Sequence, residues 1–237
     1  MNPTEKRHGA QYILYDADLL KEADPNLFDV RHLAQAGALR GTAEGRGATH
    51  FFELDGRQFV LRHYRRGGRM AALLEDRYLR TALHRTRSWR EWRLLARLAE
   101  LNLPAPRPAA ARVTLGGAFY RADLITLRIE NSQPLAQRLQ NSPLSRRDWY
   151  AAGSCIRRFH THGVYHADLN AHNILLDSAG EFHLIDFDKG MIRTDDSNWQ
   201  QANLSRLRRS LEKLSRHHPT FFFDDESWHS LLAGWHE

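Results

Sequence analysis

Cysteine is almost missing from this chain, with Cys155 alone among 237 residues. One thiol excludes an intramolecular disulfide, and none of the fourteen histidines stands in a Cys/His cluster of zinc spacing, so neither a disulfide framework nor a structural zinc site is expected. A reducing cytoplasm suits such a chain. Long apolar runs are missing as well. No stretch approaches the eighteen or so residues of a spanning helix, and no basic-then-apolar leader opens the sequence, which makes a soluble or peripheral protein the expectation. Lysine is scarce: of thirty-four basic residues only Lys6, Lys21, Lys189 and Lys213 are lysines, and the rest are arginines. A GC-rich genome would by itself account for that bias, yet arginine's planar fork also suits phosphate and carboxylate groups.

What is present bounds the class. Apolar residues at 42% can bury a substantial core in one domain or two small lobes, with no sign of disorder. The net charge of +6 and a pI near 9.8 imply an anionic partner: nucleic acid, a membrane surface or a phosphorylated substrate.

Residues 1 to about 23 read as polar and peripheral. Asp24 and Pro25 form a cap and first-turn pair for a helix carrying Phe28, His32 and Leu33 and stopped by Gly37. From Leu39 the pattern becomes strand, glycine-rich loop, strand, turn at Asp55-Gly56, strand, and the last of these runs Gln58-Phe-Val-Leu-Arg-His-Tyr64. The loop Gly41 to Thr49 is not a strict G-x-G-x-x-G. Its glycines Gly45 and Gly47 allow backbone N–H groups to approach phosphate oxygens, and a plain hairpin loop is the alternative.

Arg65, Arg66, Gly67, Gly68 and Arg69 form a basic turn, read either as a holder of an anionic acceptor or as a solvated turn. Met70 to Leu83 places apolar residues at 70, 73, 74 and 78, the stripe of a core-facing or membrane-lying helix. A helix from Ser88 to about Leu101 contains Glu91, either the partner of a strand cation or the end of a Ser88-x-x-Glu91 capping box. Val113 to Leu127 reads as two more strands around Gly116-Gly117, completing a five-stranded antiparallel sheet. Helices then follow at Leu135–Leu139, Trp149–His162 with Tyr150, Cys155, Ile156 and Phe159 facing inward, Trp199–Leu214 and Trp228–Trp235.

The informative stretch is Val164 to Gly190. His166, Asp168 and Asn173 stand as H-x-D-L-x-x-x-N, and Asp186 follows Asp168 by eighteen residues. The runs on either side of Ser178-Ala-Gly180 form a short hairpin, which would gather the three polar side chains at one end. Phosphoryl transfer needs positioned charge more than covalent chemistry, and two carboxylates with an amide suffice. Asp168 would orient an acceptor hydroxyl and take its proton, while Asp186 and Asn173 would hold Mg²⁺ against nucleotide phosphates.

With these residues the chain resembles the protein-kinase-like superfamily, departing at Ala167, where protein kinases carry Arg, and at Asp188, where they carry Gly. Loss of that Arg implies a kinase without a phosphorylated activation loop. From about Phe28 onward the chain is similar to the bacterial 3-deoxy-D-manno-octulosonic acid (Kdo) kinases and the lipopolysaccharide core heptose kinases. The likeness lies in Arg46-Gly-Ala-Thr49, Val60-Leu-Arg-His-Tyr-Arg-Arg-Gly-Gly68, Glu91-Trp-Arg-Leu-Leu-Ala96, the His166 loop and Asn203-Leu-Ser-Arg-Leu-Arg-Arg-Ser210.

The resemblance implies an α+β, two-lobed kinase-like fold forming a single domain over 1–237. The antiparallel five-stranded N-lobe would span about 28–127, the hinge about 126–130 and the helical C-lobe about 131–237. It implies ATP and Mg²⁺ as cofactors, Arg62 in the place of the phosphate-pairing strand lysine, and Glu91 as its partner. Arg65, Arg66 and Arg69 become candidates for holding the acceptor. That acceptor is the Kdo of Kdo-lipid IVA, phosphorylated at its 4-hydroxyl on the cytoplasmic face of the inner membrane, with the protein peripheral on that anionic surface. A core heptose or other small-molecule acceptor is the alternative within enzymes. An inactive binder of anionic lipid or nucleic acid is the alternative outside them, although such a binder has no use for Asp168, Asn173 and Asp186 together. No nucleic-acid partner is expected. The short segment after Asp186 and the missing A-P-E signature leave no platform for a protein substrate.

Overall fold

The structure, a computed structural model, describes residues 1–43, 49–65, 76–194 and 198–237. It divides into two compact units. One is made of Met1–Ala96 with Arg107–Arg128, the other of Arg97–Pro106 with Ile129–Glu237.

Among the described residues, the first unit is an antiparallel sheet with two helices. In chain order it holds β1 (Pro3–His8), β2 (Gln11–Asp16), α1 (Val30–Gln35), β3 (Leu39–Ala43), β4 (Thr49–Leu54), β5 (Arg57–His63), β6 (Tyr78–Leu79), most of α2 (Arg87–Glu100), β7 (Pro108–Gly116) and β8 (Phe119–Leu127). The strands run in the order β1-β2-β7-β8-β5-β4-β3, with β6 pairing beside β8. Among the described residues the sheet is therefore eight-stranded where five strands were expected, and the stretch 1 to 23, read as peripheral, supplies two of those strands. β1, with Glu5, Lys6 and Arg7 in succession, is a polar edge strand that carries almost no hydrophobic signal. β2 hides the short run Tyr-Ile-Leu-Tyr, and Ile13, Tyr15, Leu20 and Ala23 join Phe52, Phe59, Leu61, Ala110 and Ile125 in the core of this unit.

Two further expectations are corrected. The helix beginning at Asp24 is broken in two, a 3-10 turn over Pro25–Phe28 capped by Asp24 and then α1 capped by Asp29, with Gly37 left-handed at φ 67° as its stop. Two cap-forming aspartates five residues apart each start a helix of their own. The helical stripe read over Met70 to Leu83 lies partly outside the described residues. Its described remainder is not an α-helix: Tyr78 and Leu79 pair with Tyr120 and Phe119, and a 3-10 turn follows at Leu83–Arg85. Stacking of Tyr78 on Tyr120, with centroids 5.4 Å apart, favours the sheet there. At Asp55-Gly56 both residues take positive φ, as the two-residue turn between β4 and β5 requires.

The second unit holds β9 (Ser132–Pro134), α3 (Leu135–Asn141), α4 (Arg146–Thr161), β10 (Val164–Tyr165), β11 (Ile174–Asp177), β12 (Phe182–Leu184), β13 (Met191–Ile192), α5 (Trp199–His217) and α6 (Asp225–His236). Ser145 and Asp148 close a capping box at the start of α4, and Gly163 at φ 70° ends the turn beyond it. Trp149 is fully buried on α4 and Tyr150 only partly, so the inward face begins one residue earlier than expected. On α5 the stripe Leu204, Leu207 and Leu211 is buried. β11 and β12 form the expected hairpin, with Asp177 accepting the Ala179 and Glu181 N–H groups across the turn, each at 2.9 Å.

Candidate active site

In the first unit, β5 and α2 bring Arg62 and Glu91 together. Strand alternation sends Arg62 and His63 to opposite faces. Arg62 ion-pairs with Glu91, which is only 3% exposed, and the other carboxylate oxygen of Glu91 accepts the Tyr64 hydroxyl. The Tyr64 hydroxyl in turn accepts from Arg62 at 3.4 Å, and the guanidinium groups of Arg62 and Arg87 lie over its ring. A carboxylate so buried needs a cation and a donor, and here it has both. The capping-box reading of Glu91 is excluded by this geometry. Ser88 lies inside α2 and donates instead to the Arg112 carbonyl at 3.1 Å. On the opposite face of β5, His63 bonds Asp123 at 2.6 Å and Asp76 at 3.3 Å, and these carboxylates raise its pKa against the effect of burial. Arg65 is exposed just beyond β5, whereas Gly45, Gly47, Arg66 and Arg69 lie outside the described residues.

In the second unit the loop between β10 and β11 carries Asp168 and Asn173. Its centre is His166, fully buried, whose pKa is lowered chiefly by that burial. The neutral ring has both nitrogens in use: Nε2–H donates to the Ile185 carbonyl at 2.9 Å, and Nδ1 accepts the Asp168 N–H at 3.2 Å. One imidazole thus ties the loop of Asp168 to the segment of Asp186. The Ile185 N–H donating to the Asn173 carbonyl at 3.0 Å completes the tie. The Asn173 amide nitrogen donates to the Asp168 carbonyl at 2.9 Å, which leaves its side-chain oxygen as the atom for a ligand. Asp186 occupies the left-handed region at φ 62°, a conformation that Asp tolerates better than most residues. These are hard oxygen donors and few of them, a set that fits Mg²⁺ sharing its shell with phosphates and water.

The helix α5 clasps this loop, a contact that sequence reasoning missed. Asn203 exchanges two hydrogen bonds with the backbone of His166, at 3.0 and 3.3 Å, and the Ser210 hydroxyl accepts the Ala171 N–H at 3.3 Å. Between them Arg206 donates to the Asp168 carboxylate at 3.0 Å. Asn203, Arg206 and Ser210 follow i, i+3, i+7 spacing, a signal present in the sequence but overshadowed by the leucine stripe of the same helix. Tyr64, the third member of the Arg62 cluster, was likewise given no role.

Comparison with known proteins places this geometry in a family. Residues 31–235 match the family model described as "Lipopolysaccharide kinase (Kdo/WaaP) family". A 3-deoxy-D-manno-octulosonic acid kinase of Photobacterium profundum is 41% identical over 225 residues, covering 95% of this chain and 94% of that protein. Proteins of the same name from Vibrio cholerae and Xanthomonas axonopodis pv. citri are 42% and 43% identical, covering 86% and 90% of this chain and 86% and 84% of their own lengths. With the family match running over most of its length, the chain belongs to the lipopolysaccharide kinase (Kdo/WaaP) family.

Proposed function

We propose that this protein transfers the γ-phosphoryl group of ATP to the 4-hydroxyl of the Kdo residue of Kdo-lipid IVA, at the cytoplasmic face of the inner membrane. The observation that carries the reading is the grouping of Asp168, Asn173 and Asp186 around buried His166, in a chain whose relatives are named Kdo kinases. Asp168 orients the acceptor hydroxyl and accepts its proton as the oxygen bonds to phosphorus and the bond to ADP breaks. Its carboxylate is 54% exposed, open enough for a sugar to reach. Asp186 and the side-chain oxygen of Asn173 would hold Mg²⁺, which when bound neutralises charge on the phosphates. Arg62, oriented by Glu91 and Tyr64, offers its guanidinium to phosphate oxygens. Arg65, Arg66 and Arg69 remain proposed contacts for the acceptor.

The test offers ATP labelled in its γ-phosphate to lipid A precursors carrying zero, one or two Kdo residues, and to a heptose-bearing core acceptor. Label is expected on Kdo-bearing acceptors alone. Asp168→Asn should lose about 10² to 10⁴ in rate with nucleotide affinity nearly unchanged, because the residue meets the acceptor proton and not the phosphates. Transfer only to the heptose-bearing acceptor would replace Kdo by heptose in this reading, and a fully active Asp168→Asn would remove that residue from the mechanism.

A further inference from the structure

The outward side of α5 carries a row of cations of which, among the described residues, only the first is paired with a carboxylate. Arg206, Arg209, Lys213 and Arg216 are all exposed, and at 100° per residue they fall within an arc of about 80°, over a rise of about 15 Å. Among the described residues, no carboxylate pairs with Arg209, Lys213 or Arg216. The neighbouring Arg208 behaves differently, pairing with Glu212 at 2.8 Å and Asp225 at 3.0 Å. Like charges at i, i+3 and i, i+4 repel, and the helix dipole compensates only those in the last turn, which leaves Arg209 and Lys213 without a folding role. The row also has a direction. Its first member, Arg206, holds the Asp168 carboxylate, and it lies on the helix surface between the loop-facing pair Asn203 and Ser210 and the open cations.

Resting on the Kdo kinase reading above, we propose that this side of α5 is the docking surface for the anionic glycolipid acceptor. Arg209, Lys213 and Arg216 take the phosphate groups of the lipid A precursor, while Arg206 holds Asp168 beside the sugar that those contacts deliver. Arginine forks and an ammonium suit phosphate oxygens, and a track continuous with the catalytic loop brings the sugar end of a phosphorylated disaccharide to that loop. Arg206 is a positioning residue. It acts through Asp168.

The experiment measures steady-state kinetics with Kdo-lipid IVA in nonionic detergent micelles, which present no anionic bilayer. The variant Arg209→Gln/Lys213→Gln/Arg216→Gln should raise the acceptor KM by about tenfold or more, with the ATP KM within about twofold of wild type. Arg206→Ala should instead lower kcat, with part restored by Arg206→Lys. On acceptor stripped of its phosphates the wild-type KM should rise and the extra penalty of the triple variant should vanish. An unchanged acceptor KM, or an equal penalty on stripped acceptor, overturns the proposal. A defect seen on anionic vesicles and not in micelles also overturns it, assigning the row to the bilayer. Direct binding of Kdo-free lipid IVA separates the two readings: binding that depends on the row, without phosphoryl transfer to any Kdo acceptor, would keep the docking surface and reject the Kdo kinase reading.

Discussion

Arg62 joins a buried carboxylate and an aromatic hydroxyl, and each partner limits what can replace it. Glu91 is 3% exposed and Arg62 24%, so removing the guanidinium strands a charge out of water. Arg62→Ala should therefore abolish phosphoryl transfer and also destabilise the protein, by about 2 kcal/mol, less than for a fully buried pair because Arg62 is partly solvated. Arg62→Lys supplies a point charge without the fork. It should keep Glu91 compensated and restore stability, while recovering only part of kcat. Thermal unfolding alongside kinetics reads both effects, and normal turnover by Arg62→Ala would remove the residue from nucleotide binding.

At the scale of elements, the second unit depends on how closely α4 and α6 cross. A Cβ on Gly153 would overlap the Leu231 carbonyl, and one on Gly234 would overlap the Tyr150 carbonyl. In an isolated helix Gly→Ala stabilises by about 1 kcal/mol. Here backbone blocks the space, so Gly153→Ala should destabilise by about 3 kcal/mol, measured by chemical denaturation, and a stabilised variant would contradict the crossing. His160 sits at the same junction, its Nδ1 accepting the Trp235 Nε1–H at 2.9 Å with its ring against Trp199. Burial is the main cause that pushes its pKa down to about 4, with Arg157 and His166 adding to the shift and Asn203 opposing it. The unfolded chain binds a proton at about pH 6.5 that the folded one refuses. The contribution of this group is therefore complete above about pH 6.5 and is lost as the pH falls towards 4, by about 1.4 kcal/mol per unit. His160→Gln retains an acceptor for Trp235 and should flatten that slope in unfolding measured from pH 7 to 4. An unchanged slope would place the titration elsewhere.

For the molecule as a whole, charge is the largest signal. The chain carries +6, and no helix among the described residues is long and apolar enough to cross a membrane. Basic residues near an anionic leaflet contribute about 1 kcal/mol each, and screening shortens their reach from about 10 Å at 0.1 M salt to about 3 Å at 1 M. Sedimentation with anionic vesicles at low salt and release at high salt are expected. Attachment indifferent to salt would leave the sugar and acyl contacts to hold the protein.

What the sequence determined by itself is local. The grouping of Asp168, Asn173 and Asp186 follows from a loop and a hairpin within about twenty residues, whose turn Ser178-Ala-Gly180 is written in small residues ending in a glycine of positive φ. The β4–β5 turn at Asp55-Gly56 was legible for the same reason, since backbone preference at two adjacent positions is enough to set it. The tertiary structure decided what depends on distant surfaces meeting. Gln11 pairs with Thr114 and so draws an apparently peripheral N-terminus into the sheet, and Tyr78 becomes strand because Tyr120 lies beside it. Glu91 had two partners open to it in the sequence, Ser88 by spacing and Arg62 by resemblance. Only the packing of α2 on β5 chose between them. The contact of Arg206 with Asp168 spans 38 residues and depends on the rotation of α5 about its axis, which the buried leucines set by turning the cations outward.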